Sequence, residues 1–266
     1  MATPTRSGLI TLLTDFGTQD HFVGVMKGVI AGIAPAARVV DITHEVGAYQ
    51  VGQARFLLGQ SWPYFPKGTV HLCVVDPGVG TARRPIVVEA AGHLFVGPDN
   101  GIFTDLLAVE GAKARMITQA KWFLKNISQT FQGRDVFAPV SAHLAKGGRA
   151  AEAGRLIDDA LRLSSGAPQR IGRRFWSGEV AHVDRFGNLI TNLPAAEFLP
   201  MAVKGLALKA GLTEVCKVVQ SYAEAAEGEL VLITGSSGNL EVAMNQGSAA
   251  RQLGVGLGSP VELEVW

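Results

Sequence analysis

Three aspartates stand at or near the end of a short apolar run, and these are the residue positions best suited to chemistry. Asp15 follows the run 9–13, Asp41 lies in the run 39–42, and Asp76 follows the run 69–75. In an open α/β sheet, ligands bind outside the carboxyl ends of the strands, where a carboxylate can hold a polar substrate or accept a proton. Aspartate also caps the helix that follows a strand, so each residue alone has a purely structural interpretation.

A glycine-rich turn at 76–80 follows the third run and leads to Arg83 and Arg84. Only four residues separate Gly80 from Pro85, too few for the crossover helix that a methyltransferase-type βαβ unit needs. Arg83 stands where a dinucleotide-binding loop has its third glycine, and the chain has no phosphate-binding G-x-x-x-x-G-K-[ST] motif. The backbone N–H groups of the turn, with the two arginines, can still hold a small anion or polar group. Alternatively, Arg83 and Arg84 are a pair of solvated charges with no ligand.

A second candidate constellation is Asp-Arg-Phe-Gly-Asn at 184–188. These are ordinary turn residues that join two strands. Alternatively, Asp184 binds a cationic ligand group and Asn188 binds the edge of a base, because an amide both donates and accepts hydrogen bonds. Ser236 and Ser237 lack the strand-to-helix setting of a nucleophile elbow, and the histidines lack metal-ligand spacing, so no metal site is expected.

Two differently patterned halves of the chain must position these residues. Up to about residue 163, apolar runs alternate with helical periodicity at 21–33, 51–62 and 135–145, and 85–96 has a hairpin pattern. This predicts an α/β domain over residues 1–165 with a mostly parallel sheet between helices. After a polar linker at 164–168, seven short β-prone runs and one helical segment at 248–253 predict a smaller all-β barrel or sandwich over residues 172–266.

The composition excludes several classes of protein. Hydrophobic residues make up 47% and charged residues 18%, which favours folded cores over disorder, and a net charge of +1 disfavours a nucleic-acid binder. No apolar run reaches the roughly 20 residues of a membrane span, and residues 1–7 lack the apolar core of a signal peptide. Cys73 and Cys216 each lie in an apolar stretch and are expected to be buried thiols. We therefore expect a soluble cytoplasmic protein with neither nucleic-acid nor membrane partners.

Six segments form an ordered set of motifs that spans nearly the whole chain. They are Leu-Thr-Asp-Phe-Gly at 13–17 with Asp20 and Gly-Val-Met-Lys-Gly at 24–28; Val-Asp-Pro-Gly-Val-Gly-Thr at 75–81 with Arg83; Gly-Pro-Asp-Asn-Gly at 97–101; Thr-Phe-Gln-Gly-Arg-Asp at 130–135; His-Val-Asp-Arg-Phe-Gly-Asn-Leu at 182–189; and Gly-Ser-Ser-Gly at 235–238. Together they resemble the S-adenosyl-L-methionine hydroxide adenosyltransferase family, the relatives of bacterial fluorinase and chlorinase.

The resemblance implies an N-terminal α/β domain, a C-terminal β-barrel-like domain, and a homotrimer with sites between neighbouring subunits. It implies hydrolysis of S-adenosyl-L-methionine to adenosine and L-methionine, with no cofactor. Asp76, Arg83 and Gln132 would occupy the catalytic positions, where Asp76 and Arg83 handle the water. Substrate-binding positions would be Asp15 at the ribose hydroxyls, Asn188 at adenine, Phe131, and, near the methionine end, Asp20, Asp184, Ser236 and Ser237.

One position departs from the family pattern. The hydroxide-using members are expected to have histidine where this chain has Gln132, and glutamine orients water but does not exchange a proton near neutral pH. Asp76 and Arg83 are retained, which favours water over halide because a carboxylate repels a halide. We therefore predict a slow hydrolase. The alternatives are a catalytically weak S-adenosylmethionine or adenosine binder and a halide-using 5′-halo-5′-deoxyadenosine synthase.

Overall fold

The computed structural model of the chain describes residues 7–164 and 166–266, which divide after Leu163 into an N-terminal and a C-terminal unit. Among these residues, no helix has the length and apolar composition that crossing a membrane requires.

The N-terminal unit is built on a seven-stranded sheet with the strand order β2-β1-β3-β5-β4-β6-β7. Its strands are β1 (Leu9–Thr14), β2 (Arg38–Thr43), β3 (Val70–Val74), β4 (Pro85–Ala90), β5 (His93–Pro98), β6 (Lys113–Met116) and β7 (Leu156–Ile157). Its helices are α1 (Phe22–Ile33), α2 (Val51–Ser61), α3 (Ala138–Ala145) and α4 (Ala150–Ala153), with a π-helical turn at Gly133–Phe137 and 3-10 turns at Trp62–Tyr64, Leu106–Ala108 and Ala120–Trp122.

This sheet is mixed, which corrects the prediction of a mostly parallel one. Strands β2, β1, β3 and β5 are parallel, whereas β4, β6 and β7 are joined antiparallel. The hairpin predicted at 85–96 is confirmed and causes the reversal. Its turn is made by Ala91 and Gly92, with φ angles of 50° and 81°, and so short a connection cannot return the chain in parallel.

Alternate residues of the central strands pack on opposite faces of the sheet. Leu12 faces α1 and α3, while Leu13 faces α2. Cys73 is fully buried, and burial raises the pKa of its thiol. Cys216 is exposed, contrary to expectation, because its apolar run is broken between two short strands of the C-terminal unit.

The C-terminal unit is a curled, almost entirely antiparallel sheet with the order β12-β11-β16-β9-β10-β15-β14-β13. Its strands are β8 (Gln169–Arg170), which pairs with β9, β9 (Phe175–Val183), β10 (Leu189–Pro194), β11 (Leu206–Ala210), β12 (Thr213–Val215), β13 (Val218–Val219), β14 (Leu230–Thr234), β15 (Asn239–Met244) and β16 (Pro260–Val265). Its helices are α5 (Ala195–Phe198) and α6 (Ala249–Leu253), with 3-10 turns at Leu199–Met201 and Tyr222–Glu224. Helix α6 confirms the predicted helical segment, and Ser248 caps it by accepting the N–H of Arg251. Helix α5 was not predicted.

Two buried histidines contact each other inside the N-terminal unit. Nε2 of His71 lies 3.2 Å from Nδ1 of His93, and Oγ1 of Thr11 lies 2.8 Å from Nδ1 of His71. Burial lowers the pKa of His71 to about 3 and that of His93 to about 4. Both imidazoles are therefore neutral in the folded protein at neutral pH.

We expect the free energy of unfolding to fall as the pH drops below about 6.5, because the unfolded histidines then bind protons that the folded ones do not. Each histidine contributes a slope of up to about 1.4 kcal/mol per pH unit. This loss continues down to the folded-state pKa of about 4 for His93 and about 3 for His71. Urea unfolding at a series of pH values measures the slope.

The double variant His71→Gln/His93→Gln should flatten this pH dependence even if it is less stable overall. The matched control is His21→Gln, because His21 is exposed and should leave the slope unchanged. An equally steep slope in the double variant would assign the acid sensitivity to other groups.

Candidate active site

Asp76 and Arg83 form a buried ion pair just beyond the end of β3. Nε of Arg83 donates to both carboxylate oxygens of Asp76 at 2.9 Å, and Nη2 donates to Oδ2 as well. The side chains of Arg83 and Asp76 are only 9% and 5% exposed, respectively. The glycine-rich turn returns the chain so that this pair can form. Gly80 has a φ of 77°, and a Cβ there would lie 2.6 Å from the carbonyl oxygen of Gln129, so the turn requires glycine.

Gln132 completes this group from another part of the chain. Its Oε1 accepts a hydrogen bond of 2.7 Å from Nη2 of Arg83. Because a guanidinium has only donors, the contact fixes which end of the amide faces the arginine. Within residues 7–164 and 166–266, the NH2 group of Gln132 has no hydrogen-bond partner, and neither does the buried Nη1 of Arg83. Two sets of donors are thus left for a water molecule or an anion.

The π-helical turn that follows Gln132 has a local cause. Pro139 has no N–H to donate to the carbonyl of Asp135 four residues earlier, so the helix widens there. The carbonyl of Asp135 instead accepts the N–H of Leu124 at 2.9 Å. The N-terminal end of this wide turn places Gln132 against Arg83.

Asp15, Asp76 and Gln132 line one cavity of about 270 Å³. Phe131 lies in its wall and contacts the rings of Phe16 and Phe22 edge-on, with centroids 5.9 and 5.1 Å away. Burial raises the pKa of Asp15, although the N–H of Tyr49, which donates to Oδ2 at 2.9 Å, opposes this shift. The negative charge of Asp76 adds to the increase, so the two carboxylates act on each other across the cavity.

Three other charged residues from the sequence lie elsewhere. Asp20 lines an adjoining cavity of about 300 Å³ that also contains Asp15. Asp41 lies outside both cavities and accepts a hydrogen bond of 2.6 Å from Nζ of Lys27. The guanidinium of Arg84 binds the carboxylates of Asp99 and Asp159. Arg84 therefore has a structural role and does not line the cavity that contains Asp76.

In the C-terminal unit, Asp184 and Asn188 are bound to each other. Asp184 Oδ1 accepts the backbone N–H groups of Phe186 and Asn188 at 2.9 Å, and Oδ2 accepts Nδ2 of Asn188 at 2.8 Å. The turn interpretation of this segment is therefore confirmed. Asn188 Nδ2 also lies 3.4 Å from the hydroxyl of Tyr222. Since its NH2 group is engaged, Asn188 offers a ligand mainly the acceptor oxygen.

Ser236 and Ser237 lie in the loop between β14 and β15, where Ser236 is exposed and Ser237 half-buried. Two residues beside Asp184 were not predicted from the sequence. They are Tyr222 and Glu241, and burial together with the negative charge of Asp184 raises the pKa of both. A signal existed for Glu241, which is the one acidic residue in the otherwise apolar run 240–243. Tyr222 gave no comparable signal. Within the described part of the chain, no group of three or more His, Cys, Asp or Glu side chains is arranged to hold a metal ion.

Comparisons with known proteins agree with the motifs over both units. A family model described as the SAM hydroxide adenosyltransferase N-terminal domain matches residues 10–154, and the C-terminal domain model of that family matches residues 178–262. An (R)-S-adenosyl-L-methionine hydrolase of Salinispora tropica is 39% identical over 92% of this chain and 94% of its own length. A fluorinase of an Actinoplanes species is more distant, at 27% identity over 89% of this chain and 91% of its own.

A solved structure of an uncharacterized conserved protein from Thermotoga maritima has the same fold. It superposes with a TM-score of 0.90 at 39% sequence identity, covering 96% of this chain and 99% of that one. The matched models cover most of this chain, and the buried Asp76–Arg83 pair lies within the first of them. The chain therefore belongs to the SAM hydroxide adenosyltransferase family.

Proposed function

We propose that this protein hydrolyses S-adenosyl-L-methionine to adenosine and L-methionine. The observation that carries the proposal is the buried group of Asp76, Arg83 and Gln132, which shares a cavity with Asp15 and keeps unpaired donors for a water molecule. Relatives that are 34–40% identical over most of the chain and are named (R)-S-adenosyl-L-methionine hydrolase support the same reaction.

The reaction is an in-line displacement at the ribose C5′ atom. A water oxygen forms the new C–O bond, the C5′–S bond breaks, and its electron pair passes to sulfur, so that the sulfonium leaves as a neutral thioether. No general acid is needed, and the water's proton passes to Asp76 and then to solvent. Positioning of the water by Arg83 and Gln132 raises its effective concentration, an effect worth up to roughly 7–11 kcal/mol in ideal cases. Because a carboxylate is a weak base at neutral pH, turnover is slow.

The remaining side chains bind the substrate. Asp15 accepts the ribose hydroxyls, and Phe131 forms an apolar wall of the cavity. The oxygen of Asn188 accepts a hydrogen bond from the amino group of adenine, since its NH2 group already binds Asp184. The residues at the methionine end are Asp20, Asp184, Ser236 and Ser237.

The assembly is a homotrimer with sites between neighbouring subunits, and the protein acts in the cytoplasm without a cofactor. Its C-terminal sheet curls into a barrel-like domain. The antiparallel strand order and the large apolar cluster packed against this sheet support that arrangement.

Incubation of the purified protein with S-adenosylmethionine in halide-free buffer tests the proposal. We expect adenosine and methionine in equal amounts, resolved by chromatography, and supplying the two sulfonium epimers separately shows whether the (R) form is preferred. Asp15→Ala should bind neither substrate nor adenosine, and light scattering of the same sample reports the assembly. Retained affinity in Asp15→Ala would refute its ribose role.

Two other outcomes identify the alternatives. Binding without product, even at high protein concentration, would indicate a catalytically weak S-adenosylmethionine or adenosine binder, which the glutamine at 132 favours. Formation of 5′-chloro-5′-deoxyadenosine on adding chloride would indicate a halide-using synthase, favoured by the unpaired donors of Arg83 and Gln132. The charge of Asp76 opposes the latter, because a carboxylate repels a halide.

A further inference from the structure

The motif Gly-Pro-Asp-Asn-Gly at 97–101 is the one sequence motif that the proposed reaction does not use. It starts in the last two residues of β5, and β5 runs parallel to β3, so the motif leaves the sheet at the same end as Asp76. Gly97 leaves no room for a Cβ beside the carbonyl oxygen of Cys73 on β3. The motif therefore packs directly against the strand that leads to the buried ion pair.

Asn100 holds the residue immediately before Asp76. Its Nδ2 atom donates a hydrogen bond of 2.8 Å to the carbonyl oxygen of Val75, and its Oδ1 atom accepts the backbone N–H of Ile102 at 3.2 Å. The second contact fixes the orientation of the amide, so that its NH2 group faces Val75. Because Val75 is fully buried, water does not readily replace this donor.

Asp99 holds the residue immediately after Arg83. Its Oδ2 atom accepts Nε and Nη2 of Arg84 at 2.9 and 2.6 Å, and its backbone N–H donates to the carbonyl oxygen of Arg84 at 2.9 Å. The other carboxylate oxygen, Oδ1, accepts the N–H of Leu161 at 2.8 Å. Asp99 is almost fully buried, so Arg84 is anchored through both its backbone and its guanidinium to a rigid point of the sheet edge.

Two consecutive residues thus hold both ends of the loop 76–83, whose first and last residues are Asp76 and Arg83. We infer that Asp99 and Asn100 are positioning residues, which set the spacing of this pair and so the place where it meets the water. Neither side chain is among the described residues that line the cavity of Asp76, so both act through the loop. Their effect on the reaction rate rests on the proposed function, whereas their hold on the loop follows from the contacts themselves.

Asn100→Asp is the direct test, because it keeps the shape of the side chain but replaces the NH2 donor with an oxygen that repels the carbonyl of Val75. We expect kcat for adenosine formation to fall about ten- to a hundredfold, since a shift of about 1 Å in a catalytic group can cost that much. Calorimetry should find the same number of adenosine sites per chain and an affinity within about twofold of wild type, because Asp15 and Phe131 keep their places. A partly unfolded variant would lose sites instead.

A double-mutant cycle separates positioning from general damage to the fold. In an Asp76→Asn background, adding Asn100→Asp should lower kcat by less than about twofold further, because the group that Asn100 positions has already been lost. A second loss as large as the one measured in the wild-type background would overturn the inference.

Asp99→Asn tests the other end of the loop, and Asp159→Asn is its matched control. Arg84 also binds the carboxylate of Asp159, which is largely exposed, and the carbonyl oxygen of Asp159 remains as an acceptor in the control. We expect kcat to fall about tenfold in Asp99→Asn and to stay at the wild-type value in Asp159→Asn. Equal kcat values in the two variants would remove Asp99 from the inference.

The matched control for Asn100→Asp is Asn192→Asp in the C-terminal unit. Asn192 makes the same two kinds of contact, since its amide donates to the carbonyl oxygen of Gly166 and accepts the backbone N–H of Glu179. We expect wild-type kcat in this control. If the wild-type protein forms adenosine and Asn100→Asp is as fast as Asn192→Asp, the positioning role is wrong and the hydrolase proposal stands.

Hydrogen exchange tests the hold on the loop without depending on activity. Two amides inside the loop report on it, because the N–H of Val79 donates to the carbonyl of Asp76 at 3.2 Å and the N–H of Thr81 to that of Gly78 at 3.1 Å. When the ends of the loop are less firmly held, these hydrogen bonds open more often.

We expect both amides to exchange at least about tenfold faster in Asn100→Asp than in the wild-type protein, and at the wild-type rate in Asn192→Asp. Unchanged exchange in Asn100→Asp would overturn the inference. This readout also holds for a protein that forms no adenosine, in which case the proposed function has failed while faster exchange still supports the hold of Asn100 on the loop.

Discussion

The Asp76→Asn variant is expected to lose at least about a hundredfold in kcat. Asparagine keeps the shape of the side chain but removes both the negative charge and the proton acceptor. The guanidinium of Arg83 then faces an amide in a site where both side chains are less than a tenth exposed. Adenosine formation under single-turnover conditions measures the loss.

The same substitution should also lower the stability of the N-terminal unit. Removing one partner of a buried ion pair leaves the other charge uncompensated, which typically costs about 3–5 kcal/mol. Urea unfolding followed alongside activity separates the two effects, because a folded but inactive protein at low urea assigns the loss of kcat to chemistry.

Asp41→Asn is the matched control for this experiment. Asp41 is also an aspartate at the same edge of the sheet, but it is 39% exposed, pairs with Lys27 and does not line the cavity of Asp76. We expect wild-type kcat in this variant. An Asp76→Asn protein that is folded and as active as Asp41→Asn would remove Asp76 from the mechanism.

The proximity of Asp15 and Asp76 could be predicted from the sequence, because both follow apolar runs that form neighbouring parallel strands. In the structure, Thr14 pairs with Val74, so the two aspartates leave the sheet at the same level. Asp41 fits the same description less well for a simple reason. It pairs with Leu12 inside β2 rather than following the strand, and so it does not reach the cavity.

The contacts made by Gln132 and Glu241 could not be predicted, because both depend on residues distant in sequence or on irregular backbone. Gln132 meets Arg83 through a π-helical turn that Pro139 imposes on a segment whose pattern predicts only an ordinary helix. Glu241 alternates with apolar neighbours, which indicates an outward-facing residue. It is buried because the sheet face on which it lies also carries a small apolar cluster that includes Val219 and Ala225, and local pattern does not reveal such a cover.

The mixed sheet has a similar explanation. The hairpin of β4 and β5 was visible in the sequence, but its consequence for the strands added later was not. Once β4 runs antiparallel to β5, β6 pairs on the outer edge of β4, and β7 pairs on β6. The direction of β4, β6 and β7 is therefore set by the short turn between β4 and β5. The alternation of strands and helices in the rest of the N-terminal unit favours a parallel sheet.

Gln132→His is expected to raise kcat by about a hundredfold. Imidazole, with an ordinary pKa of about 6.5, can exchange a proton with water near neutral pH, whereas an amide cannot. Its single acceptor nitrogen must face the water to take this proton, so Arg83 gives up the hydrogen bond that it now donates to Gln132 but keeps its ion pair with Asp76. Single-turnover adenosine formation across a pH series measures the gain.

The pH profile of this variant shows whether the gain has the proposed cause. Because the neutral imidazole is the active form, kcat should rise with pH through about 6.5 and then level off, a limb that the wild-type protein lacks. Gln129→His is the matched control, since residue 129 is exposed and its side chain does not contact Arg83. If Gln132→His folds, binds S-adenosylmethionine and is no faster than Gln129→His, then proton removal at this position does not limit the reaction. Slow turnover would then have to arise at another step, and the glutamine at 132 would no longer distinguish a sluggish hydrolase from a protein that only binds its ligand.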